Sequence, residues 1–71
     1  MWSTKQTIMT WVQYEVWGVE ADGHEQLIDT TNSLKEARNL AEESLTEDIV
    51  ECIIYREEDG ELYEEEVVVR E

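Results

Sequence analysis

Apolar and polar residues alternate over residues 11–19, where Val12, Tyr14 and Val16 interleave with Gln13, Glu15 and Trp17. A period of two marks a strand with one buried face. Ala21-Asp22-Gly23 follows as a turn, because glycine takes positive φ at little cost. Leu27 and Ile28 centre a weaker strand over residues 24–31. A three-residue loop at 21–23 would set Val16 opposite Ile28 and Tyr14 opposite Thr30. A two-residue Asp22-Gly23 loop would set Val16 against Asp29 instead. The first register is preferred, since a slip of one residue turns the whole apolar set to the wrong face.

The period then becomes helical. Ser33 and Glu36 form S-x-x-E, a capping box in which each side chain satisfies an amide of the first turn. Leu34, Ala37, Ala41 and Leu45 make the stripe, with Leu40 beside it, and Glu36, Glu43 and Glu47 lie opposite. The helix should end near Thr46, because Ile49 begins a new alternation. Residues 49–57 and 61–70 flank Asp59-Gly60, a strong hairpin signal. Folding there sets Val50, Cys52 and Ile54 opposite Val69, Val67 and Glu65, and Arg56 opposite Tyr63. The other face then carries Glu51, Ile53, Tyr55, Leu62, Glu64, Glu66 and Val68.

The expected fold is α+β: a single ββαββ domain with a four-stranded antiparallel sheet, order 2-1-3-4, and one helix on one face. The expected core is Val12, Tyr14, Val16, Ile28, Leu34, Ala37, Ala41, Leu45, Val50, Cys52, Ile54, Val67 and Val69. Nothing is expected on the second face. Residues 1–10 read as a flexible N-terminal extension and residues 11–71 as the domain, with Trp2 packing loosely or not at all. A length of 71 residues supports one layered core and no more.

Charge narrows the function. Nineteen acidic residues against five basic ones give a net −14. Direct binding to nucleic acid or to an anionic membrane is excluded, because phosphate surfaces need clustered Lys and Arg. A lone Cys52 cannot form an internal disulfide. Residues 1–10 lack the apolar run of a signal peptide, and no stretch approaches the ~20 apolar residues of a membrane span. The expectation is a cytoplasmic protein.

Candidate chemistry is sparse. One His and one Cys, on different hairpins, supply neither a nucleophile–base pair nor a zinc ligand set, and there is no G-x-S-x-G elbow. His24 reads as a solvated turn residue and Cys52 as a packing thiol. The acids from Glu57 to Glu61 lack the D-x-[DN]-x-[DN]-G-x₅-E spacing that wraps a calcium ion. No catalytic residue, metal or cofactor is expected.

The acids are unevenly placed: residues 36–71 carry fourteen of them against three bases. Alternate strand residues lie ~6.8 Å apart, so Glu64 and Glu66 would form a carboxylate row at a spacing similar to adjacent phosphates. Glu36, Glu43 and Glu47 would make a second row. Plain solubility also explains such a face, as does halophilic adaptation, although the latter sits poorly with the preponderance of Glu over Asp. Trp17, Ile53, Tyr55 and Val68 would stand on the uncovered face inside an acidic rim, the make-up of a protein interface.

Ser33-Leu34-Lys35-Glu36-Ala37-Arg38, the strand over 49–56 and the Asp59-Gly60 turn, in an acidic chain of this length, resemble the small phage-encoded inhibitors of host defence. Several anti-CRISPR proteins have a similar short α+β plan, and DNA-mimic anti-restriction proteins show a comparable acidic excess. The likeness spans residues 11–70 in pattern and transfers no binding residue. It implies a protein acting in a host cytoplasm.

The expected function is a non-enzymatic inhibitor that mimics nucleic-acid phosphates in a basic site of a nucleic-acid-handling protein. Glu57, Glu58, Asp59, Glu61, Glu64 and Glu66 would supply charge, and Tyr55 an apolar anchor. The alternative is a homodimeric structural or accessory protein joined through Trp17, Ile53, Tyr55 and Val68, whose acidity serves solubility or halophilic adaptation.

Overall fold

The strand and helix periods resolve into β1 (Val12–Glu20), β2 (Glu25–Thr31), α1 (Leu34–Ser44), β3 (Ile49–Glu58) and β4 (Glu61–Val69). They are seen in a computed structural model of the protein, which describes residues 12–70. The expected extension over residues 1–10, Trp2 and the Trp11 start of the first strand lie outside the described residues. All neighbouring strands are antiparallel and the sheet order is β2-β1-β3-β4, as the pattern predicts. The α1 stripe covers one face.

Local chemistry sets the boundaries. Asp59 and Gly60 both have positive φ, 54° and 83°, as a two-residue primed turn requires. Gly23 does the same at φ 93°, and Asp22 Oδ1 accepts from the His24 amide at 2.9 Å. Ser33 caps α1, its Oγ accepting from the Glu36 amide at 3.3 Å. The reciprocal arm of the capping box is supplied differently, since the Ser33 amide donates to Thr31 Oγ1 at 3.4 Å. The helix ends at Ser44, two residues before the expected Thr46. Leu45 is already extended, and Thr46 Oγ1 accepts from the Asp48 and Ile49 amides at 3.1 Å each. Glu47 therefore lies in the loop and not on a helical row with Glu36 and Glu43.

Each ladder holds one extra residue, and these three bulges correct the expected registers. Between β1 and β2, Trp17 pairs with Leu27 but Val16 with Asp29 and Tyr14 with Thr31, so Ile28 is the extra residue. The three-residue-loop register holds only next to the turn. Between β1 and β3, Val19 pairs with Glu51 but Glu20 with Ile49, leaving Val50 over. Between β3 and β4, Arg56 pairs with Tyr63 and Tyr55 with Glu64 as expected. Beyond them Ile54 meets Glu66, Ile53 meets Val67 and Cys52 meets Val68, because Glu65 is extra.

These slips re-sort the core. Val16, Ala37, Ala41, Cys52 and Ile54 are fully buried, with Tyr14, Ile28, Leu34, Leu40, Leu45, Ile49 and Val68 packed around them. Val50, Val67 and Val69, expected inside, are 41%, 44% and 55% exposed; Ile49 and Val68 point to the helix in their place. Val12, also expected inside, is half-buried and outside this cluster. Fully burying Val16 or Ile54 contributes about 1.5–3 kcal/mol each. Ala37 and Ala41 let the helix backbone approach so closely that Cys52 Sγ donates to the Ala41 carbonyl at 3.5 Å.

Gly18 makes room for the same packing. A Cβ built there would lie 2.9 Å from Ile28 Cδ1 and 3.1 Å from Ile49 Cγ2, two of the side chains that the bulges turn inward. Gly18→Ala should therefore cost about 1–3 kcal/mol by overpacking. Urea unfolding followed by circular dichroism checks this through a lower midpoint at unchanged slope; an unchanged midpoint contradicts it.

Candidate functional site

The β3–β4 hairpin and the uncovered sheet face carry the candidate partner-binding and dimer-face residues, but the Glu65 bulge divides them between two surfaces. Tyr55, Glu57 and Glu64 lie on the open face. Glu58, Glu61 and Glu66 lie on the helix side, and Asp59 is at the tip of the turn. Glu64 and Glu66 thus point to opposite faces, which overturns the single carboxylate row.

On the helix side the acids are held by two arginines. Arg38 Nε on α1 meets Glu66 Oε1 at 2.8 Å. Arg56 pairs with Glu58 through Nη1 and with Glu65 Oε1 through Nε at 3.1 Å. Its guanidinium also stands 4.9 Å above the Tyr63 ring, a cation–π contact. The Tyr63 hydroxyl donates to Glu61 Oε1 at 2.7 Å. That bond, first among several causes, raises the Tyr63 pKa above its ordinary value, because the neutral phenol is the donor. Arg56 was not singled out from the sequence. Its signal was available: it is the single cation between Arg38 and Arg70.

The open face is ordered in rows across the sheet. Leu27, Trp17, Ile53 and Val67 form one apolar row through all four strands. On one side runs Thr30–Glu15–Tyr55–Glu64, and on the other Glu25–Val19–Glu51–Val69. Trp17 Nε1 donates to Glu15 Oε1 at 2.9 Å, which fixes the indole over the sheet. Partial burial, then the charges of Glu25 and Glu64, raise the Tyr55 pKa, so its hydroxyl keeps its proton at neutral pH. Val68 does not belong here, having turned to the core, and Val67 and Leu27 stand in the row unforeseen.

The two residues with nucleophile or base chemistry are far apart in role. His24 is exposed on the β1–β2 turn, whereas Cys52 is fully buried. Burial, then Glu51, raises the Cys52 pKa and suppresses the thiolate. Glu20, Asp22, Glu47 and Asp48 line an open concavity where the first turn meets the α1–β3 loop, the Ala21 amide donating to the Asp48 carbonyl at 3.2 Å. Among the described residues no three His, Cys, Asp or Glu side chains converge as a metal-holding group, and no helix is long and apolar enough to cross a membrane. Compared with protein-family models, curated proteins and solved structures, the chain matches none.

Cys52 gives a direct check on this placement. A bulky thiol reagent should label the native protein only as fast as it unfolds, and rapidly once denaturant is added. Cys52→Asp should lose several kcal/mol by burying an unpaired charge. Fast labelling of the native thiol contradicts the burial.

Proposed function

We infer that the chain is a non-enzymatic acidic binding protein that occupies a basic site on a nucleic-acid-handling protein and so inhibits it. One observation carries the reading. Among the described residues no charged side chain is buried, and the ion pairs engage only Glu58, Glu65 and Glu66, so most of the net −14 is displayed on the surface. Such a field steers a cationic partner and accelerates encounter.

The bulge changes which carboxylates do this. Glu66 and Glu58 are tied to Arg38 and Arg56, and Glu61 accepts from Tyr63. Glu57, Asp59 and Glu64 have no such partner among the described residues; Glu57 and Glu64 lie on the open face and Asp59 at the turn. They stand where phosphates would, and Tyr55 is the apolar anchor next to them. The Arg56 cluster stiffens the hairpin that presents them.

Affinity capture on the immobilised chain tests this. The retained proteins should be basic, should be displaced by added duplex DNA, and should elute between ~0.05 and ~0.2 M salt. The triple variant Glu57→Gln, Asp59→Asn, Glu64→Gln removes three charges and leaves the arginine pairs intact. It should slow association with the captured partner at least about tenfold, with little change in dissociation. Unchanged association, or retention indifferent to DNA, contradicts phosphate mimicry.

A further inference from the structure

Asp-Gly occurs twice in this chain, at Asp22-Gly23 and at Asp59-Gly60, and the fold holds the two differently. The dipeptide has a chemistry of its own. Glycine has no Cβ to shield its amide nitrogen, so that nitrogen can attack the preceding aspartyl carboxyl. The attack requires the nitrogen to swing beneath Cγ and both groups to be unengaged. Both sites are exposed and no neighbour crowds either glycine, so access does not distinguish them.

At Asp22-Gly23 both reacting groups are occupied. The Gly23 amide donates to the Glu20 carbonyl at 2.8 Å, and Asp22 Oδ1 accepts from the His24 amide at 2.9 Å. The second bond turns the carboxylate towards His24 and away from the Gly23 nitrogen. Rotating the peptide between them breaks the first bond, and bringing Cγ to the nitrogen breaks the second.

At Asp59-Gly60 neither restraint exists. Among the described residues the Gly60 amide takes part in no backbone hydrogen bond of a turn, and the side-chain bonds of the hairpin run through Arg56 and Tyr63. With φ 54° and 83°, Asp59 and Gly60 form a type I′ turn. A flip of the peptide between them converts type I′ into II′, which keeps φ positive at Asp59 and moves its ψ to about −120°. The reversed φ at Gly60 costs glycine little. Because no hydrogen bond is lost, the Glu58↔Glu61 pair survives the flip. A five-membered ring closed from Cγ to the next nitrogen holds an L-residue near that same ψ, so the flipped turn presents the nitrogen to the carboxyl.

We propose that Asp59-Gly60 is a site of spontaneous succinimide formation and isoaspartate conversion in the folded chain, and that Asp22-Gly23 is protected from it. The Gly60 nitrogen bonds to Asp59 Cγ while the Cγ–O bond of the protonated carboxyl breaks. The hydroxyl leaves with the amide proton as water. Water then opens the ring. Addition at Cγ restores Asp59, whereas addition at the backbone carbonyl leaves the chain running through the β-methylene with a free α-carboxylate. The product has one more main-chain atom between Glu58 and Glu61 than a two-residue turn holds, and its charge no longer stands where the Asp59 carboxylate did. The conversion thus alters the hairpin tip of the partner site, although its chemistry does not depend on that reading.

Mass spectrometry of the full chain, incubated in neutral buffer and then digested, reads the conversion. The succinimide is lighter by one water, and electron-transfer fragmentation distinguishes isoaspartate from aspartate. Circular dichroism follows the fold throughout. Conversion at Asp59 should exceed that at Asp22 by at least about tenfold, because Asp22-Gly23 must first open two hydrogen bonds. In guanidinium the two sites should react at similar rates, since only the shared dipeptide then decides. Equal or greater conversion at Asp22 in the folded chain overturns the proposal. So does a folded chain that keeps Asp59 intact over the time in which the denatured chain converts it, which would make the turn a protection.

Discussion

One constraint governs this protein: side chains on a strand alternate between two faces, and only an extra residue can change which face they reach. The sheet uses that device once in every ladder. Ile28, Val50 and Glu65 are the extra residues, and each slip brings a bulky side chain to the helix, namely Ile28 itself, Ile49 and Val68. Without them β1 and β3 would give α1 little beyond Val16, Cys52 and Ile54 to pack against. Gly18 completes the arrangement by leaving space beneath Ile28 and Ile49. With five fully buried apolar side chains among the described residues, the domain has little stability to spare, so these positions matter more than their size suggests.

The same slips organise the charge. By sending Glu66 to the helix side, the Glu65 bulge brings it to Arg38 and brings Glu65 to Arg56. Exposed pairs of this kind contribute little stability, about 0–1 kcal/mol each. Their larger effect is on geometry. Arg38 links α1 to β4 and Arg56 bridges acids within the hairpin, while the open face keeps its carboxylates interleaved with apolar residues.

Topology was legible because it rests on periodicity. Two alternating segments around Asp59-Gly60, one capped stripe and one turn at Gly23 suffice for ββαββ and its sheet order. The bulges were not legible, for reasons specific to each. Glu64-Glu65-Glu66-Val67-Val68-Val69 has no alternation, so either parity satisfies the pattern and only packing against α1 decides it. Ile49-Val50 and Leu27-Ile28 are likewise apolar pairs in which either member can turn inward. The candidate residues beyond Glu65, namely Glu66 and Val68, were therefore assigned to the wrong face. Tyr55, Glu57 and Glu64, which precede the slip as counted from the turn, stand where the pattern puts them. Arg56 was set opposite Tyr63, but its ion pairs went unforeseen because a lone cation in an acidic strand reads as solubility until its partners are seen.

The β3–β4 register is the point on which the core, the arginine pairs and the open face all depend. Isotope-edited NOE spectroscopy measures it through contacts between valine methyl groups and their neighbours. The account expects Val68 methyls to contact Cys52 and the α1 side chains, and Val67 methyls to contact Ile53 on the opposite face. Contacts from Val67 to Cys52 and from Val67 and Val69 to α1, with Val68 facing away, would contradict it.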